Sequence, residues 1–232
     1  MRFVTILSLA FLLFAPVNGF CKYTKGKTVL YNSKTKTGAE NFEKKKHPER
    51  PIKRVLVVFY SWDENTKHAA ELIKKCWTNG TNEHFFAVYD VRLTISRIKL
   101  KDDYNTNNFD ICIEQAKEQI IKKAKPKIYN VPDDVSAYDI IFLGSPNWWH
   151  TIAPPLLSFT EKMKDYRGTV APFITQGSSG LGHCEEDLKK ALPKAKVLHA
   201  ALFSGKRLGD HDELEELLVR EWARGSLNRY LE

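Results

Sequence analysis

Sulfur is scarce in this 232-residue chain, with four cysteines and two methionines. No cysteines stand as Cys-x-x-Cys or in a Cys/His cluster at zinc spacing, so a structural zinc module is excluded and no metal site is expected. No apolar run reaches the ~20 residues that a bilayer span needs, so no stable membrane span is expected and a permanent anchor in the N-terminal run is the lesser alternative. No internal repeat or second composition regime is present, so the length is read as one substantial domain. The stretch from Gly177 to Gly182 lacks the Gly-x-Ser-x-Gly spacing of a nucleophile elbow, because Leu181 takes the last position. It also fails as a dinucleotide fingerprint, since Glu185 stands where the final glycine belongs.

What is present begins with an address. Met1 to Phe14 is a short basic start and an apolar run, followed by small residues up to Gly19. This is the pattern of a secretory signal peptide over 1–19. The ending Arg229-Tyr-Leu-Glu232 is not a retention signal, so secretion or a secretory-pathway lumen is expected. Asn79-Gly-Thr81 is an N-glycosylation sequon, in keeping with a secreted glycoprotein. In an oxidising compartment Cys21, Cys76, Cys112 and Cys184 permit two disulfides in three connectivities. Cys184, beside His183 at a helix start, reads either as a thiol of lowered pKa or as an inert or bridged one.

The net charge of +8 is localised. Ten basic residues against three acids between Cys21 and Lys53 give +7, which with Arg2 leaves 54–232 neutral. Residues 20–53 therefore read as a basic flexible leader and 54–232 as the folded domain. The leader has neither aromatic interleaving nor a binding-module motif, so no nucleic-acid partner is expected.

Along 54–232 strands and helices alternate. Strands are predicted over Arg54–Tyr60, Phe85–Val91, Tyr138–Ser145, Val170–Thr175 and Lys196–Leu202, from continuous apolar runs. Helices are predicted over Asn65–Cys76, Ile111–Lys123, Pro154–Met163, Cys184–Ala191 and Asp212–Arg224. Pro146 is expected to end the third strand. This alternation predicts an α/β fold, a doubly wound five-stranded parallel sheet in the order 2-1-3-4-5.

In that order three loops meet at the carboxyl ends of strands one, three and four. Ser61, Asn65 and Thr66 open a helix, where free N–H groups and the dipole favour a phosphate. Pro146, Asn147, Trp148 and Trp149 offer aromatic faces that suit a flat ring, although both indoles folded back as core is the alternative. Thr175, Gly177, Ser178, Ser179 and Gly180 form a glycine- and serine-rich loop whose backbone can approach a ring edge. Phosphate, ring and edge together describe flavin mononucleotide (FMN).

On these stretches, namely Ser61-x-x-x-Asn65-Thr66, Tyr138 to Trp149 and Pro172 to Gly182, the chain resembles the flavodoxin-like family of small FMN oxidoreductases. The resemblance implies noncovalent FMN and redox work, with a small-molecule electron donor or acceptor such as NAD(P)H or a quinone. It implies phosphate contacts from Ser61, Asn65 and Thr66, ring contacts from Pro146 to Trp149, and edge contacts from Thr175 to Gly180. In one place the chain departs from the family: Asp63-Glu64 replaces a hydroxyl residue and a glycine before Asn-Thr. Two carboxylates near a phosphate repel it, and the lost glycine removes ready access to positive φ. A flavodoxin-like scaffold that has lost FMN and works as a binding or structural protein is therefore the second expectation.

Overall fold

The computed structural model describes residues 50–78, 88–104 and 108–231, all within the unit Pro48–Glu232. The signal peptide, nearly all of the basic leader, Cys21 and the sequon at Asn79 lie outside the described residues.

Strand β1 (Ile52–Phe59) forms where β-branched residues run together, and Val55 to Phe59 are buried. Helix α1 (Asn65–Thr78) buries Ala69, Leu72, Ile73 and Cys76, one stripe at helical spacing. β2 (Asp90–Arg97) runs parallel to β1, with Ile52 opposite Asp90 and Phe59 opposite Arg97. The predicted strand over Phe85–Val91 is thus displaced: 85–87 lie outside the described residues, Val88 is helical and pairing starts at Asp90. The true strand alternates half-buried Val91, Leu93 and Ile95 with exposed Arg92 and Thr94. That is the pattern of an edge strand wetted on one face, and it gives a weaker signal than the apolar Phe85-Phe-Ala-Val run.

The two-residue strand β3 (Lys99–Leu100) pairs antiparallel with β4 (Ile128–Tyr129) across helix α2 (Phe109–Ile121). Asn108 caps α2, its Oδ1 accepting from Ile111 N–H at 3.1 Å. β5 (Ile140–Trp148) is followed by β6 (Thr151–Ile152), α3 (Pro154–Thr160) and a 3₁₀ turn to Met163. Then come β7 (Thr169–Gln176), α4 (Cys184–Ala191), β8 (Lys196–Val197), β9 (Ala201–Ser204), α5 (Gly205–Gly209) and α6 (Glu213–Leu231).

The parallel sheet has the order β2-β1-β5-β7, with β8 and β9 sharing the position beyond β7. This is the expected 2-1-3-4-5 order, its fifth strand broken in two. The break falls where Glu185 intervenes, its Oε2 accepting from Ala200 N–H at 2.8 Å. The helices cover both faces. Val55, Val57 and Phe59 pack with α1 and α6, while Leu56, Val58 and Tyr60 pack with α2, α3 and α4. Gly144 lies between Phe59 and Phe173, and a Cβ there would stand 2.2 Å from the Phe173 ring. No helix among the described residues is long and apolar enough to cross a membrane.

Candidate functional site

The loop leaving β1 turns into α1 through Glu64, whose φ of +67° is the left-handed conformation that favours glycine. The lost glycine does not remove that conformation; Glu64 adopts it, at about 1–2 kcal/mol for a residue with a Cβ. Its carboxylate turns out to Lys67 and Arg97, each at 2.5 Å. Partial burial alone would raise the Glu64 pKa, but the hydrogen bonds from Lys67 and Arg97 outweigh it and hold the carboxyl below its usual range. Asp63 stays beside the helix start. Its Oδ1 accepts from Asn65 N–H at 3.3 Å and its Oδ2 from the Asn65 amide at 2.6 Å. Ser61 Oγ accepts from Lys67 N–H at 3.2 Å, and buried Thr66 bonds to Thr175 through their hydroxyls at 2.7 Å, tying α1 to the end of β7.

β5 does not end at Pro146, contrary to expectation: Pro146 pairs with Thr175 of β7. Gly144 is the last residue bonded to β1, through Tyr60 N–H at 3.0 Å. The N–H that proline lacks therefore falls on the side β1 has already left, and β7 continues the ladder on the other side. Asn147 and Trp148 then pair antiparallel with Ile152 and Thr151. Trp149 (φ +52°) and His150 (φ +64°) form the two-residue turn, the pair of positive φ values that such hairpins favour. The two indoles diverge. Trp148 is half-buried, edge-on to Tyr60 at 5.6 Å and Tyr104 at 4.9 Å. Trp149 is 46 % exposed, donates from Nε1 to Ile113 O at 3.3 Å and lies 4.8 Å beneath the Lys117 ammonium.

The third loop is strapped to the second. Asn147 Nδ2 donates to Gly180 O at 2.6 Å, and Gly180 N–H donates to Gln176 Oε1 at 3.3 Å. His150 O accepts from His183 N–H at 2.6 Å. Gly182, at φ +57°, lies so close that a Cβ would sit 2.4 Å from that oxygen. Ser178 and Ser179 are exposed.

Between these loops is a cleft of about 520 Å³. Of the predicted residues, Asn65, Pro146, Asn147, Trp148, Trp149, Thr175 and Gly177 line it. Ser61, Thr66, Ser178, Ser179 and Gly180 are not among its lining residues. Residues not predicted line it too, among them Trp62, Cys112 and Lys206. Trp62 lies inside a loop that sequence reasoning does select. Lys206 follows the fifth strand, and only the sheet order gives notice that this strand's end reaches the same crevice.

Two buried polar atoms of the lining, Trp62 Nε1 and Asn147 Oδ1, have no hydrogen-bond partner among the described residues. Leaving such atoms unmatched costs about 1–3 kcal/mol each, so the two cleft residues carry a donor and an acceptor still to be matched. Gly177 adds open space, since a Cβ there would meet nothing within 4 Å. A flat heterocycle carrying both N–H and C=O groups fits this donor set, and the cleft falls within the range of small-ligand sites. The opposite end offers the α1 N-terminus and Lys206, which holds no ion pair among the described residues.

The thiols are quiet. Cys76, Cys112 and Cys184 are buried, and none of them bridges another. Burial, aided by Asp187, pushes the Cys184 pKa up to about 12, which overturns the reading of a lowered-pKa thiol at this helix start. Burial, aided by Asp103, pushes Cys112 up to about 11.

Comparison with known proteins bears on this cleft. The family described as flavodoxin matches residues 54–222. The chain is similar to a flavoprotein from Lactobacillus acidophilus solved in complex with FMN, at 23% identity and a TM-score of 0.54, covering 68% of this chain and 97% of that one. A flavoprotein structure from Bacteroides uniformis gives 22% identity and a TM-score of 0.54, covering 69% and 98%. No curated protein matches.

Proposed function

We infer that this chain, which belongs to the flavodoxin family, binds FMN noncovalently in the cleft and works as an oxidoreductase or electron carrier. The observation that carries this reading is the pair of unmatched buried atoms, Trp62 Nε1 and Asn147 Oδ1, in a wall that also presents Trp148 and Trp149. The structurally similar Lactobacillus acidophilus flavoprotein, solved with FMN, supports the choice of flavin.

In this reading Trp62, Trp148 and Trp149 flank the ring, Asn147 and the Thr175 to Gly180 loop serve its edge, and Asn65 with the α1 N-terminus serves the phosphate. FMN, when bound, supplies the one- and two-electron chemistry. The side chains contribute stacking, hydrogen bonds and exclusion of water. Burial moves the pKa values of Tyr60 and Cys112 further above neutrality, so neither is a proton donor of matched pKa. The electron partner is a small molecule such as NAD(P)H or a quinone. Residues 1–19 direct the protein into the secretory pathway, where Asn79 is glycosylated.

One contact favours a second reading, a scaffold without cofactor: Asp63 engages both the backbone N–H and the amide of Asn65, the group assigned to the phosphate. Titration of FMN into the full chain, followed by flavin fluorescence, tests the choice. Saturable quenching at one flavin per chain supports the flavoprotein, and none supports the scaffold.

A further inference from the structure

Sequence spacing gives no hint of a metal site, yet the fold brings two histidines and a glutamate together outside the cleft. His68 lies on α1, His211 in the turn between α5 and α6, and Glu216 on α6, so that His68 and Glu216 are 148 residues apart in sequence. Their ligand atoms all lie within 4.8 Å of one another. We propose that His68 Nε2, His211 Nδ1 and Glu216 Oε1 form a binding site for a divalent transition-metal ion of the zinc type.

The two carboxylate oxygens of Glu216 have separate tasks. Oε2 accepts from Arg220 at 2.6 Å, while Oε1 faces both imidazoles, at 2.9 Å from His68 Nε2 and 3.5 Å from His211 Nδ1. An ion bound at zinc–ligand lengths of about 2.0–2.2 Å in tetrahedral geometry holds its ligand atoms about 3.4 Å apart. The observed separations bracket that value, so ligation needs side-chain adjustments of well under an ångström for the nearer pairs. The rings meet edge to face, with centroids 4.6 Å apart. His211 also occupies a left-handed backbone conformation, φ +55°, which turns it back toward α1. His68 and Glu216 are mostly buried, 23 % and 17 % exposed, and His211 closes the site from the solvent side.

Two imidazoles and a carboxylate are the donor set that zinc, nickel, cobalt or ferrous ions take, whereas calcium and magnesium prefer oxygen alone. The fourth position, open to solvent, is left for water. The ion joins α1 to the segment entering α6. That segment begins at α5, whose Gly209 packs so tightly on Asn65 that a Cβ would sit 2.8 Å from Asn65 Oδ1. The same clamp therefore steadies one wall of the cleft.

Zinc itself is the probe, competed against a chromogenic chelator with the full chain and with His211→Ala, a variant at a largely exposed side chain. The proposal predicts one zinc per chain at micromolar affinity or tighter, weakened at least ~10-fold in the variant, as expected when a ligand is lost. With free zinc about a hundredfold above Kd, the unfolding midpoint rises by roughly 5–10 °C over that in chelator, and the rise is lost in the variant. Absence of stoichiometric zinc binding overturns the proposal. So does zinc binding or stabilisation that is equal in His211→Ala, because the ion then sits elsewhere.

Discussion

Asp63 Oδ2 accepts a hydrogen bond from the Asn65 amide at 2.6 Å, while Asp63 Oδ1 accepts from the Asn65 backbone N–H at 3.3 Å. A single carboxylate thus engages both the backbone N–H and the side-chain amide of the residue assigned to the phosphate. It satisfies an otherwise free N–H at the start of α1, but it also places a negative charge where a phosphate approaches.

Asp63→Asn keeps an acceptor for the cap and removes the charge. FMN affinity is expected to rise roughly 10- to 100-fold, which corresponds to about 1.4–2.8 kcal/mol of relieved repulsion. Affinities of both proteins measured by fluorescence at low and at high salt check this, with the gap narrowing as salt screens the charge. A variant that binds FMN more weakly shows that the carboxylate does not repel the ligand.

Glu64→Gly exchanges backbone strain for lost ion pairs. Glycine removes the cost of φ +67°, while the pairs with Lys67 and Arg97 are largely exposed and so contribute little. Urea unfolding is expected to give a stability within about 1 kcal/mol of the parent. A loss beyond about 2 kcal/mol contradicts the view that the outward pairs are dispensable.

The tryptophans separate by readout. Trp149→Ala removes an exposed face and is expected to weaken FMN binding with little change in the unfolding midpoint. Trp148→Ala opens a hole against Tyr60 and Tyr104 and is expected to cost about 2–4 kcal/mol of stability whether or not FMN is present. Denaturation and FMN titration of both variants check the division, and equal stability losses contradict it.

Thiol reactivity follows from burial. Folded-state pKa values of about 11 for Cys112 and about 12 for Cys184 lie above the unfolded value of 9.0. The stability these protonated thiols contribute is therefore complete below pH 9 and is lost as pH rises toward 11–12. Iodoacetamide at about pH 8 with peptide mapping is expected to leave both residues unmodified in the folded protein and to label both in urea. Rapid native labelling of Cys184 restores the activated-thiol reading.

Much of this is legible in the chain, and the misses have physical causes. β1 and β5 are readable because central parallel strands are wet on neither face and run continuously apolar. β2 is misplaced because an edge strand dilutes that signal with Arg92 and Thr94. Pro146 misleads because whether a missing N–H matters depends on which neighbour strand has already turned away. The three loops are readable, but Trp62 passes as spacing between Ser61 and Asp63. Lys206 needs the position of the fifth strand. The left-handed turn at Glu64 is unreadable because it goes against residue preference, and the two cations that its carboxylate meets include one on β2, far off in sequence. His68, His211 and Glu216 have no sequence spacing in common and meet only through the packing of α1 on α6.

The central claim is tested most directly by the visible spectrum of the full chain after mixing with excess FMN and passage through a sizing column. The account predicts that flavin bands near ~450 nm elute with the protein at about one FMN per chain, and that Trp149→Ala retains less. A folded protein that elutes colourless, and stays so when Asp63→Asn removes the charge, contradicts it.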